Sequence, residues 1–146
     1  MPRDIRYIVI HCSDSYFGSA GMIDRWHQEH GWLRIGYHYV IQNCFPTMES
    51  FRAGIPDLTA DGTIETGRPE DEAGAHARNY NASSIGICLI GVKQFTHAQL
   101  TALARLVGEL KGRYPGVKVV GHYEITENRT CPNIDMGWLR RFLIDN

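Results

Sequence analysis

Short apolar runs rich in β-branched residues alternate along this chain with segments of helical periodicity, and this alternation constrains the fold more than any other feature. The runs that predict strands span residues 5–11, 36–41, 63–65, 84–89 and 117–120. Residues 22–30 and 138–144 predict helices, and a longer helix is expected after Thr96. We therefore predict an α/β fold, with a central mixed, mostly parallel β-sheet flanked by helices.

The helix after Thr96 has the clearest signature in the chain. Thr96 is followed three residues later by Gln99, which is the pattern of a capping box. Leu100, Leu103, Val107 and Leu110 then recur at three- and four-residue steps. Gly112 and Pro115 predict its end, because glycine favours helix termini and proline cannot continue a helix.

A length of 146 residues is that of one domain and is large enough for a sizeable apolar core. Residues 43–60 hold two prolines, a glycine and little periodicity, so we predict a long surface loop there. Loops of that length in compact domains often carry function.

The charges nearly balance, with 15 Lys plus Arg against 16 Asp plus Glu. A net charge of -1 provides no broad attraction to nucleic acid or anionic lipid, so neither is expected as a partner. The apolar stretch near Met1 is too short for a signal peptide or a membrane span. We expect a monomer that is made in the cytosol and has no stable membrane association.

The four cysteines are Cys12, Cys44, Cys88 and Cys131. In a reducing compartment such thiols stay free, bind metal or act in catalysis. Strand alternation points Cys12 away from the face of its neighbour His11, which predicts packing in the core, and Cys88 within residues 84–89 is predicted to be core as well.

Two histidines stand at the ends of predicted strands, His11 after residues 7–10 and His122 after residues 119–121. Cys131 follows nine positions after His122. Two imidazoles and a thiolate suit zinc, and three protein ligands leave the fourth tetrahedral position for water, as in catalytic zinc sites. Seven histidines and four cysteines allow many such triples, so composition alone leaves this choice open.

Five segments resemble, in order, the signature blocks of the N-acetylmuramoyl-L-alanine amidase family, a fold group that includes T-odd phage lysozymes and animal peptidoglycan recognition proteins. They read IVIHCS, GWLRIGYHYVIQ, DGTIETGR, GAHARNYNASSIGICLIG, and VVGHYEI followed by TCPNIDM. The resemblance covers nearly the whole chain and implies the fold of that family, with residues 1–146 as one zinc amidase domain.

The resemblance also implies roles for particular residues. It implies one Zn²⁺ per chain, bound by His11, His122 and Cys131, and an active-site tyrosine at Tyr37. His76 lies in a block that lines the cleft, which implies contact with substrate. Arg129 occupies a catalytic position that is a lysine in the phage lysozymes.

Two departures from the family pattern matter. Arginine keeps the positive charge of lysine and can stabilise an oxyanion, but it does not readily lose a proton, so only the electrostatic role is carried over to Arg129. The segment between Ile41 and Asp61 is longer than in the phage lysozymes, which could reshape the substrate cleft.

The implied function is zinc-dependent hydrolysis of the amide bond between N-acetylmuramic acid and the first L-alanine of peptidoglycan. A phage endolysin that waits in the host cytoplasm before its release to the cell wall fits the absence of an export signal. Two alternatives remain open. One is a cysteine hydrolase in which Cys131 attacks with His122 as its base, and the other is a peptidoglycan-binding module without activity.

Overall fold

The computed structural model describes residues 3–145, and its helices and strands alternate as the sequence predicts. The strands are β1 (Tyr7–Cys12), β2 (Tyr39–Ile41), β3 (Ile64–Thr66), β4 (Ser84–Leu89) and β5 (Lys118–Gly121). The helices are α1 (Ala20–Glu29), α2 (Met48–Ala53), α3 (His97–Arg113), α4 (His122–Ile125) and α5 (Met136–Asp145).

The five strands form one sheet in the order β3-β2-β4-β1-β5. β1 pairs in parallel with both β4 and β5, β2 pairs in parallel with β4, and only the β2–β3 pair is antiparallel. This confirms the predicted mixed, mostly parallel sheet. Because β1, β2, β4 and β5 point the same way, the loops that follow them meet at one edge of the sheet.

One side of the sheet, which we call the apolar face, is built from aliphatic residues. Ile8 and Ile10 of β1 and Ile85, Ile87 and Leu89 of β4 point to it, as period-two alternation requires. Helices α3 and α5 cover this face with buried leucines, namely Leu103, Leu106, Leu110, Leu139 and Leu143.

The opposite side, which we call the histidine face, has a smaller apolar cluster. Val40 and Cys88 meet Ile23 of α1 and Ile35 there. Three buried histidines, His11, His38 and His76, also belong to this side of the sheet. The two faces of one sheet therefore differ in chemistry.

Helix α3 confirms the capping prediction. The Gln99 amide donates to Thr96 Oγ1 at 3.0 Å, and the Thr96 amide donates to Gln99 Oε1 at 2.9 Å. Helix α3 ends at Arg113, between Gly112 and Pro115 as predicted, and Gly112 lies in its last turn. A helical glycine costs only about 1 kcal/mol relative to alanine, and the packing of the preceding turn offsets it.

Residues 43–60 include helix α2, none of whose residues is buried. Thr47 caps α2 and Gly54, with φ of 65°, ends it. Strand β2 starts at Tyr39, three residues later than predicted, and α4 was not predicted. Among the helices of residues 3–145, none is long and apolar enough to cross a membrane.

Candidate metal centre and active site

The three side chains proposed as zinc ligands converge at the carboxyl ends of the parallel strands. The candidate ligand atoms of His11, His122 and Cys131 all lie within 4.8 Å of one another. The two imidazole rings are 4.5 Å apart between centroids. Among the residues that the structure describes, no other group of three or more His, Cys, Asp or Glu side chains converges in this way.

The register of the sheet explains why the two histidines meet. Ile10 of β1 pairs with Gly121 of β5, so the next residues, His11 and His122, are level with each other on adjacent parallel strands. His122 opens helix α4 immediately after β5 ends. Two histidines that are 111 positions apart in the chain thereby become neighbours without any long excursion of the backbone.

Cys131 reaches the site from the loop between α4 and α5. The Tyr123 amide donates to the Cys131 carbonyl at 2.9 Å, and the Cys12 amide donates to Cys131 Sγ at 3.0 Å. Asn128 and Asn133 on either side have φ of 62°, a conformation that asparagine tolerates better than most residues. The loop is therefore tied to the end of β1 at the level of His11.

Both histidines are held in the neutral form, which is the form that binds metal. Burial lowers the pKa of His11 well below its ordinary value, and the nearby His76 and His122 lower it further. Burial also lowers the pKa of His122, with an added contribution from the positive charge of Arg129. At neutral pH each ring therefore has one nitrogen with a lone pair that a cation can bind.

Cys12 contacts the site as well. It is buried, as strand alternation predicts, but its sulfur also lies 3.7 Å from Asn133 Nδ2. In the metal-free protein a hydrogen bond with the Cys12 thiol and burial raise the pKa of Cys131. Cys88 is fully buried in the cluster of the histidine face, as predicted.

A cavity of about 450 Å³ opens over the three candidate ligands. Tyr37, His76 and Arg129, the other residues singled out in the sequence, line the same cavity. The structure thus brings all six together. A larger cavity of about 640 Å³ lies beside residues 43–45 and 91–96 and contains none of the six.

Tyr37 stands against the first histidine, with 5.0 Å between the ring centroids of Tyr37 and His11. Burial raises the pKa of the Tyr37 phenol well above its ordinary value, and nearby thiols add to the effect. Tyr37 therefore stays protonated at neutral pH, and its hydroxyl lies within hydrogen-bonding reach of the Cys88 thiol beneath the cavity. Arg129 is exposed at the rim of the cavity and forms no ion pair with any residue between positions 3 and 145.

His76 is nearly buried, with 9% of its surface exposed. Its Nδ1 lies 2.9 Å from His11 Nε2, and its Nε2 lies 3.3 Å from Ser84 Oγ. Because both ring nitrogens have partners inside the protein, neither is free for substrate. The contact between His76 and substrate stays a prediction, and the ring carbons of His76 are the atoms left to make it.

Sequence reasoning did not single out several residues that line the cavity, namely Asp14, Trp32, Asn128 and Asn133. Three of these, Asp14, Asn128 and Asn133, have positive φ, a strained conformation that often accompanies functional sites. Their positions in loops next to predicted ligands were the available signal. Trp32 lies within one of the family-like blocks and could have been found there.

Comparisons by sequence and by structure relate this chain to known proteins. Residues 1–134 match the family described as N-acetylmuramoyl-L-alanine amidase. An endolysin of Klebsiella phage KP32 is 34% identical over 145 residues, which cover 92% of this chain and 84% of that relative.

Solved structures give the same result. The amidase LysC from Clostridium intestinale has a TM-score of 0.79 and 28% identity, covering 97% of this chain and 87% of its own. Wild-type PGRP-LB of Drosophila has a TM-score of 0.69 and 28% identity, covering 90% of this chain and 75% of its own.

Proposed function

The chain belongs to the N-acetylmuramoyl-L-alanine amidase family, and on that basis we propose that one zinc ion, bound by His11, His122 and Cys131, supports its hydrolysis of peptidoglycan. The protein is a peptidoglycan amidase, similar in sequence to phage endolysins and in structure to amidases. The observation that carries the zinc proposal is the convergence of the three donors within 4.8 Å beneath an open cavity.

The donor set fits zinc. Two neutral imidazoles and one thiolate are borderline-to-soft ligands that zinc prefers over the all-oxygen sets of calcium and magnesium. Three protein ligands leave a coordination position open, which is typical of a catalytic rather than a structural site. Held by His11, His122 and Cys131, zinc would supply Lewis-acid polarisation of a carbonyl group and activation of water at neutral pH.

We assign catalytic roles to Tyr37 and Arg129. The protonated Tyr37 hydroxyl would donate a hydrogen bond to the attacking water or to the oxyanion that develops on the scissile carbonyl. Arg129 would add positive charge at the rim of the same cavity. An arginine stays protonated at neutral pH and cannot act as a base, so its role is electrostatic and the proton transfers fall to other groups.

The substrate bond that we propose is the amide between the lactyl group of N-acetylmuramic acid and the first L-alanine of the stem peptide. The endolysin relatives support a role in degrading the cell wall of a bacterial host. We further propose that residues 1–146 act as one zinc amidase domain, held in the host cytoplasm until its release to the wall.

Identification of the new ends in digested peptidoglycan tests the function. Purified sacculi are treated with the zinc-loaded protein and the products are analysed by mass spectrometry. Free lactyl carboxylates together with new L-alanine amino termini are expected. New reducing sugar ends would instead indicate a glycosidase, and an unchanged polymer that retains the protein would indicate a binding module.

A chelator and a thiol reagent separate the zinc mechanism from a cysteine nucleophile. If zinc is required, chelation removes activity and added zinc restores it. Activity that survives complete removal of metal but is lost on alkylation of Cys131 would favour the cysteine mechanism and contradict the proposal.

A further inference from the structure

A line of hydrogen bonds extends from His11 away from the cavity and ends at a backbone carbonyl. His11 Nε2 meets His76 Nδ1 at 2.9 Å, His76 Nε2 meets Ser84 Oγ at 3.3 Å, and Ser84 Oγ lies 2.7 Å from the Tyr80 carbonyl oxygen. All three side chains are buried, with exposed fractions of 1%, 9% and 0%. Each link joins groups that lie on or against the histidine face.

The last link sets the direction of all the others. A carbonyl oxygen can only accept, so Ser84 must donate its single hydroxyl proton to Tyr80. Ser84 Oγ is then an acceptor towards His76, which requires a proton on His76 Nε2. A neutral His76 with that proton has a lone pair on Nδ1, and it must accept a hydrogen bond from His11 Nε2.

The consequence concerns the other ring nitrogen of His11, Nδ1. A neutral imidazole that has its proton on Nε2 has its lone pair on Nδ1, and Nδ1 has no hydrogen-bond partner among residues 3–145. We propose that His76, oriented by Ser84 and the Tyr80 carbonyl, is a positioning residue that fixes His11 as the Nε2–H tautomer and so presents Nδ1 to the metal. This inference rests on the proposed zinc function.

The position of His76 is closely defined by its surroundings. Its backbone amide donates to Asn81 Oδ1 at 2.8 Å. A Cβ atom at Gly86 would lie 2.7 Å from the His76 ring, and one at Gly74 would lie 2.6 Å from it. The ring thus occupies a slot that only glycine leaves open on β4.

Charge agrees with this assignment. His76 is nearly buried, and the partners of its two ring nitrogens, His11 Nε2 and Ser84 Oγ, are uncharged groups that would not compensate a buried positive charge. His76 is therefore neutral, and a neutral ring has one acceptor nitrogen to offer. A histidine here takes the place that a carboxylate or carbonyl often has behind a zinc-bound histidine.

The first test measures zinc affinity by competition with a coloured chelator. His76→Leu removes both ring nitrogens, and we expect its zinc affinity to fall by about tenfold to a hundredfold, the usual effect of losing such a partner. Ser84→Ala removes the group that orients His76, and we expect a smaller loss of about tenfold. His76→Gln retains an acceptor and should recover part of the affinity.

Ser83→Ala is the matched control. Ser83 stands next to Ser84 and its hydroxyl also points to the Tyr80 carbonyl, at 3.4 Å, but it takes no part in the line. We expect wild-type zinc affinity from this variant. Thermal unfolding of each metal-free variant separates a loss of affinity from a loss of fold.

The second test reads the tautomer directly and needs no metal. Long-range nitrogen–proton correlation spectra of ¹⁵N-histidine-labelled, metal-free protein should show the His11 proton on Nε2 in the wild type. Exchange between the two tautomers is expected in Ser84→Ala and His76→Leu.

The outcomes separate the two proposals. A wild-type protein that binds no zinc would contradict the proposed function, while the spectra would still test the tautomer. Unchanged zinc affinity in both His76→Leu and Ser84→Ala, with His11 still protonated on Nε2, would overturn the positioning role and leave the zinc site standing.

Discussion

The two faces of the sheet are built from the same strands but differ in composition and in role. The apolar face and the helices α3 and α5 that cover it together form a core of 18 buried hydrophobic residues, whereas the histidine face has a cluster of five beside three buried histidines. Burial of apolar surface stabilises the fold without regard to direction. A buried imidazole is tolerated only where its nitrogens have partners, so the histidine face depends on specific geometry.

The comparison indicates that stability and chemistry are largely separable in this protein. Residues that alternate along β1 and β4 belong to one face or the other, so a substitution on one face leaves the side chains of the other in place. The predictions below test that separation, from the largest expected effect to the smallest.

Replacement of a metal ligand should have the largest effect. His122→Ala is expected to lower peptidoglycan hydrolysis at least about ten-thousandfold, which is about 5 kcal/mol in the activation barrier, because it removes one of the three side chains proposed to hold the catalytic zinc. His122 is only half-buried, so the metal-free variant should unfold near the wild-type temperature. His97→Ala, at an exposed histidine of α3, is the control and should retain activity.

Truncation on the apolar face should show the reverse pattern. Leu103 is fully buried under the sheet, and Leu103→Ala is expected to lower the free energy of unfolding by about 4 kcal/mol through lost burial and a residual cavity. Zinc affinity of the folded protein should not change. Leu58→Ala, at a leucine that is 77% exposed, should stay within about 0.5 kcal/mol of wild type. A Leu103 variant that loses zinc affinity while still folded would show that the faces are coupled.

The rim of the cavity provides the next test. Arg129→Ala is expected to lower turnover about a hundredfold, or about 3 kcal/mol, if Arg129 stabilises the oxyanion. Zinc affinity should be close to that of wild type, and Arg129→Lys should recover part of the rate because it keeps the charge. Arg105→Ala, at an exposed arginine of α3, controls for the loss of one positive charge. Undiminished turnover in Arg129→Ala would remove this residue from the mechanism.

The smallest effect concerns pH and His38. Burial lowers the pKa of His38 from 6.5 to about 4, aided by Arg3 and Arg68 and opposed by Glu70. Between these values the unfolded chain binds a proton that the folded protein does not, so stability falls as the pH drops below about 6.5 and keeps falling to about 4. The titration of His38 alone should lower the free energy of unfolding by about 2 kcal/mol when the pH falls from 7 to 5.

Denaturant unfolding of metal-free wild type and His38→Gln at pH 7 and pH 5 measures this contribution. The glutamine variant, which does not titrate in this range, should lose less stability on acidification. Equal losses in the two proteins would show that His38 is not held neutral by the histidine face.

Much of the fold was predictable because local patterns report it directly. The strands follow from β-branched runs, and α3 follows from its cap and from the spacing of Leu103, Val107 and Leu110. Four-residue α4 has no periodicity to detect. β2 starts late where the backbone at Gly36 packs against Ala75, far away in the sequence: the Ala75 amide donates to the Gly36 carbonyl at 3.0 Å, and a Cβ at Gly36 would clash with the Ala75 carbonyl oxygen. A sequence window does not contain such contacts.

The site was predictable only in part for the same reason. Strand ends and the family resemblance pointed to His11, His122 and Cys131. The link from His11 through His76 to Ser84 joins residues that are 65 and 8 positions apart, and its direction depends on a backbone carbonyl. Sequence spacing has no information about hydrogen-bond direction, so the position of His76 behind the ligand emerged only from the structure.

X-ray absorption at the zinc edge of the zinc-loaded protein tests the central claim most directly, because Cys12 lies so close to Cys131. The account predicts one zinc per chain with a single sulfur at about 2.3 Å and nitrogen or oxygen neighbours at about 2.0–2.1 Å, and it predicts loss of the sulfur signal in Cys131→Ser but not in Cys12→Ser. Two sulfur neighbours would mean a site closed by a fourth protein ligand, and that result would contradict a catalytic zinc at this edge of the sheet.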